Sequence, residues 1–164
     1  MINSNSWLQQ TAQKLAANSF QPLPAEVYQA QGFKYAVRRS RFELTKFGMA
    51  EYFFTFAEIP NLTPDVLRQF SSASFRYANA NKSVPLPNGL FVGTFCFAVA
   101  ITAHLGEETQ QFIRFTEPAT HWGAFEMRIA FDLATGGLYY YEKTPLWGGA
   151  YYAGFRREVT NNLS

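Results

Sequence analysis

The sequence predicts an α+β fold: a single antiparallel β-sheet of about six strands with about three helices, in the order α-β-β-α-β-β-β-β-α, in one domain over residues 1–164. Three observations carry this expectation. Aromatic residues make up 18% of the chain, with seventeen Phe and nine Tyr, a bias that suits pleated, half-buried surfaces. Runs of period-two alternation recur, punctuated by Gly, Pro and Asn. Apolar residues are 48% of the chain and charged ones only 16%, the balance of a folded globule large enough for one sizeable core.

The elements follow in order. Residues 6–17 place Trp7, Leu8, Thr11 and Leu15 at helical spacing, with Ser6 as the expected N-cap. Residues 33–47 read as a long strand whose alternation changes phase, from Tyr35 and Val37 on the odd face to Phe42 and Leu44 on the even one. A bulge near Arg39 and Ser40 accounts for that slip. "EYFFTFAEI" is its antiparallel partner. The clearest helix start is "LTPD", where Thr63 caps, Pro64 takes the first helical position and Asp65 meets the positive end of the dipole. A stripe of Val66, Phe70, Ala73 and Tyr77 follows, with Leu67 and Ser74 beside it.

Residues 90–105 carry no charge before His104. The odd positions are bulky (Phe91, Phe95, Phe97, Val99, Ile101) and the even ones mostly small (Cys96, Ala98, Ala100), so the strand is expected at the sheet centre, covered on both faces. "QFIRFTEP" reads as a returning strand. In residues 125–133, Phe125, Met127, Ile129, Phe131 and Leu133 face inward and Glu126, Arg128, Ala130 and Asp132 outward. "ATGG" makes a hairpin to "LYYYEK"; an even-numbered loop sets Leu133 opposite Leu138 and Phe131 opposite Tyr140, and an odd one reverses the faces. The closing stretch forms a helix carrying Trp147, Tyr151, Phe155 and Val159 at i, i+4 steps.

Several chemistries lack their signatures. One cysteine, Cys96, excludes an internal disulfide and a multi-thiolate metal site, and its apolar neighbours mark an inert thiol. His104 and His121 have no second His or Cys at ligand spacing, and although His121, Glu117 and Glu126 could meet in space, neither a metal nor another cofactor is expected. There is no nucleophile elbow and no phosphate loop. The nuclease-like set Glu126, Asp132, Glu142 and Lys143 has Tyr141 where an acidic ligand is needed. The N-terminus lacks the pattern of a secretory signal and no run suits a membrane span, which leads to a cytoplasmic expectation.

Function is therefore expected to rest on binding. The leading reading is a non-catalytic cytoplasmic adaptor, chaperone-like or regulatory protein, dimeric through a cover for the small-residue face of residues 90–105. A second is a small-molecule binder, or an enzyme, on the polar face of the last hairpin. There Tyr139 and Tyr141 form a stacking shelf, Arg128 holds an anionic group, and Glu126 or Asp132 serves as base. A third joins Arg38, Arg39 and Arg41 with Arg156 and Arg157 into an anion or nucleic-acid site. The net charge of +2 and nearby carboxylates make nucleic acid the weaker partner.

Overall fold

The computed structural model describes residues 1–44, 48–89, 91–145 and 149–164. Among the described residues the sheet is mixed and seven-stranded, and five helices pack on it, which corrects the expected antiparallel sheet with three. The order is α1 (Ser4–Ala17), β1 (Gln21–Pro22), α2 (Ala25–Gln29), β2 (Tyr35–Glu43), β3 (Gly48–Glu58), α3 (Pro64–Ala80), β4 (Val92–Thr102), α4 (Glu107–Phe115), β5 (Thr120–His121), β6 (Ala124–Asp132), β7 (Gly137–Tyr139) and α5 (Gly149–Leu163). Across the sheet the strands run β1-β2-β3-β4-β6-β5, with β7 also on the outer edge of β6.

The error lay in the connections. A helix between two strands lets the chain return to its starting end, so β3-α3-β4 and β4-α4-β6 make parallel pairs. The stretch expected to be a strand after residue 105 is α4. Thr109, Phe112 and Ile113 form its buried stripe, Glu107 and Glu108 sit in its first turn and Arg114 in its last. β4, the expected central strand, is buried along nearly its whole length between two parallel neighbours.

Each sheet face has its own core. On one side Phe54, Phe97, Ile129 and Phe131 meet Trp7 and Leu15 of α1 and Phe155 and Val159 of α5. On the other, Phe53, Cys96, Ala98 and Ala130 meet Leu67, Phe75 and Ala78 of α3 and Phe112 of α4. The small side chains of β4 thus receive α3 at close range. The face that motivated a dimer is covered within the chain.

Smaller expectations fared unevenly. The α1 cap is Asn3, whose side chain accepts from the Ser6 N–H, while Thr63 caps α3 as read, accepting from the Val66 N–H at 3.3 Å. α3 buries Phe70 and Tyr77 with Leu67 and Ser74 as read, adds Ser71, Phe75 and Ala78, and leaves Val66 and Ala73 only partly covered. No bulge interrupts β2, whose pairing with β3 is continuous from Tyr35↔Phe56 to Glu43↔Gly48. The phase change arises because Phe42 and Leu44 are exposed, at 60% and 75%. The last hairpin pairs Phe131 with Leu138, two residues from the expected register, which preserves the faces of Leu138 and Tyr139. Phe47, Leu90 and Trp147 lie outside the described residues.

Candidate functional site

The sequence-expected site residues are placed singly. Glu126, Arg128 and Asp132, expected on a wet face, are all buried, because α3 and α4 cover that side of β6. Arg128 donates from Nη2 to the Glu117 carbonyl at 2.7 Å and lies 4.7 Å over the Phe112 ring. Asp132 caps the hairpin turn, accepting from the Ala134 N–H and the Thr135 hydroxyl, each at 3.0 Å. β7 ends at Tyr139, so the chain is free to turn. Tyr139 packs toward the α3 side while Tyr141 is buried on the α5 side, 5.7 Å from Tyr152, and the two make no common shelf.

The arginines divide in the same way. Arg38 donates to the Asn81 carbonyl at 2.7 Å. Arg39 pairs with Glu158 at 2.5 Å and stacks over Phe20 and Tyr52. Arg41 and Arg157 are exposed, and Arg156 donates to the Lys143 carbonyl and the Thr144 hydroxyl. The Arg39–Glu158 pair links the β2 arginines to α5.

What the structure brings together lies elsewhere, at the amino ends of the parallel strands β3, β4 and β6. A cavity of about 490 Å³ opens there, against the α5 side of the sheet. That volume suits a small organic molecule. Phe95, Phe125, Tyr152 and Phe155 form its wall. Phe125 stacks on Phe155 at 4.6 Å and 17°, and meets Tyr152 edge-on at 5.1 Å and 84°. Gly93 supplies the space, since a larger residue would occupy the room in front of Phe95.

Glycines also shape the mouth. Gly123 has φ +64°, and a Cβ on it would lie 2.5 Å from the Gly89 nitrogen; a Cβ on Gly89 would lie 2.3 Å from Trp122 Nε1. The loop before β4 and the turn before β6 therefore cross at a contact only glycines allow. Asn88 fastens the first loop, accepting from Thr94 Oγ1 at 2.7 Å and donating to Asn79 at 2.9 Å. Gly123→Ala is expected to cost about 1–3 kcal/mol from the left-handed backbone alone, with the clash in addition. Chemical denaturation would measure it, and an unchanged midpoint would contradict the crossing.

Polar groups in this wall are few. Tyr152 is buried, its hydroxyl has no hydrogen-bond partner among the described residues, and burial first, then the Glu117 charge, pushes its pKa up to about 12. His121 lines the cavity, its ring stacked on Phe75 at 4.1 Å and 8°. His121 Nε2 stands 3.3 Å from Glu126 Oε2, while the Ser71 hydroxyl donates to Glu126 Oε1 at 3.1 Å. Sequence reading grouped His121, Glu117 and Glu126 only as a weak metal set and missed this cavity. Its only signals were the glycines of "NGLFVG" and "HWG", which are local and say nothing of meeting. Among the described residues no group of three His, Cys, Asp or Glu side chains is placed to hold a metal ion, and no helix is long and apolar enough to cross a membrane. Comparison with protein-family models, with curated proteins and with solved structures finds no match.

Proposed function

We propose that the protein binds small, flat, mainly apolar molecules in the cavity at the amino ends of β3, β4 and β6. The observation that carries this is an open space of about 490 Å³ walled by aromatic rings. Aromatic faces and edges favour a planar guest over an aliphatic one. This keeps the expected binding role and moves it from the last hairpin to the sheet end. A lone, buried Cys96, with burial and the Glu126 charge raising its pKa, accords with the cytoplasmic setting expected from the sequence.

The test is saturable binding of 2-naphthol, followed by its fluorescence, with Gly93→Val as the blocked control. A Cβ at Gly93 lies 3.0 Å from the end of the Phe95 ring, so valine should push that ring into the cavity. We expect at least about a tenfold loss of affinity, equivalent to about 1.4 kcal/mol. Equal binding by both proteins would remove the reading.

A second reading, homodimerisation, is favoured by the exposed rings near the mouth: Trp122 at 80%, Phe91 at 64% and Tyr151 at 52%. A strictly monomeric mass in solution at high protein concentration would dispose of it. Anion or nucleic-acid binding has less support, since Arg38, Arg39 and Arg156 are already bonded within the chain.

A further inference from the structure

We propose that the protein pairs with a second copy of itself along the outer edge of β2, joining two sheets into one, with Phe42 at the two-fold axis. This rests on the homodimer reading and not on the cavity. β1 covers the outer edge of β2 only at Val37 and Arg38. Ahead of β1 the chain has left that edge, since Ser19 and Phe20 donate their N–H groups back to the Ala16 and Leu15 carbonyls of α1. Among the described residues nothing pairs with β2 on that side beyond Arg38, and an open edge is a template for another strand. The Ala36 carbonyl accepts from the Leu23 N–H at 3.0 Å, so it points away from β3. Alternate residues point the same way, and Ser40 and Phe42 therefore turn their N–H and C=O groups outward.

A second β2 is the occupant whose charges fit. An antiparallel pair centred on Phe42 sets that residue opposite Phe42 of the second copy, each exchanging both backbone hydrogen bonds, with Ser40 beside Leu44 at either end. Arg41 then faces Glu43 of the second copy, twice by symmetry, at the positions where opposed side chains stand closest. Moving the centre to Ser40 or Arg41 would set arginine against arginine, so charge selects the register. Arg41 is exposed and has no partner among the described residues. Glu43 accepts from the Tyr52 hydroxyl, and a carboxylate has further acceptor positions beyond that one. The pairing also covers Phe42 and Leu44, apolar side chains 60% and 75% exposed on an edge otherwise lined by charge. If the edge charges serve only to keep other strands away, the chain will remain a monomer.

Sedimentation equilibrium of the full chain over a rising concentration series is the measurement. The wild type should dimerise, and Arg41→Glu should weaken the dimer on the order of tenfold or more, because it sets like charges opposite each other at two places. Glu43→Arg should weaken it likewise, and the two substitutions together should restore it, since the pair is then exchanged and not removed. Phe42→Pro deletes an outward N–H while sparing the bonds to β3, a change an edge strand tolerates, and should abolish pairing. Arg41→Glu alters only an exposed side chain, so it reads the pairing even where Phe42→Pro fails to fold. A dimer that Arg41→Glu leaves intact, or a loss that the exchanged pair does not restore, overturns the β2 pairing. If Trp122→Ser breaks such a dimer, the rings at the cavity mouth carry the association instead. A monomeric wild type overturns the pairing and the homodimer reading together, and 2-naphthol binding decides the cavity separately.

Discussion

Phe97→Ala is expected to destabilise the protein by about 3–5 kcal/mol, the cost of removing a fully buried ring from a core that closes only partly around the gap. Phe97 lies mid-way along β4 and exposes none of its surface. It stacks on Phe54 of β3 at 4.6 Å and 14°, and meets Phe155 of α5 edge-on at 6.2 Å and 73°. The ring therefore joins two parallel strands and the helix that covers them. Its loss would remove contacts from both at once, against a total stability of about 5–15 kcal/mol for a domain. Phe97→Leu retains most of the volume and should keep more than half of the lost stability. Urea unfolding followed by tryptophan fluorescence measures both variants. Losses below about 1 kcal/mol for alanine would mean that α5 does not sit on β4 as described.

That ring was legible in the sequence, and the reason shows where sequence reading stops. The bulky–small alternation of β4 is a property of one segment, and it specified a central strand with two covered faces before any partner was known. Which strands lie beside it is a property of connections. α3 was recognisable from Thr63, Pro64 and Asp65, but its consequence, a parallel β3–β4 pair, was not drawn. α4 is only nine residues long, and "QFIRF" alternates as well as it repeats at helical spacing; length could not arbitrate.

The charged positions of β6 show the same limit. Glu126, Arg128 and Asp132 alternate with apolar residues as a solvent-facing row would, yet α3 and α4 bury them and each finds partners there. Period-two patterning assigns residues to faces. It does not say whether the polar face meets water or a helix bearing a serine at the right height. The cavity was less legible still. It depends on Gly89 and Gly123 touching across 34 residues of chain, and on the β5–β6 turn bringing His121 back over Glu126.

Glu51 is the second position where a large effect is expected, and here the effect depends on pH. Its carboxylate is fully buried, on the α3 side of β3. It accepts from the Ser83 N–H at 3.1 Å, the Ser83 hydroxyl at 2.5 Å, the Val84 N–H at 3.0 Å and the Ser40 hydroxyl at 3.1 Å. Burial by itself raises the pKa of this group. The four donors outweigh burial and hold it below the usual carboxylate range. A carboxylate whose pKa falls on folding adds stability above its unfolded value of about 4.3, and that contribution drains away as pH drops through the lower folded value. Glu51→Leu should therefore cost about 2–4 kcal/mol near neutral pH, since it leaves the donors facing an apolar side chain. The difference between wild type and variant should shrink steadily below about pH 4, as the wild-type carboxylate takes up its proton. Denaturant unfolding at a series of pH values would show this, and a difference constant down to strong acid would rule the account out. The same carboxylate ties the loop after α3 to the sheet, and that loop runs on to Asn88 and Gly89 at the cavity mouth. Glu51→Leu should accordingly weaken 2-naphthol binding as well as stability, although Glu51 does not line the cavity, because the crossing of Gly89 with Gly123 depends on where that loop is held.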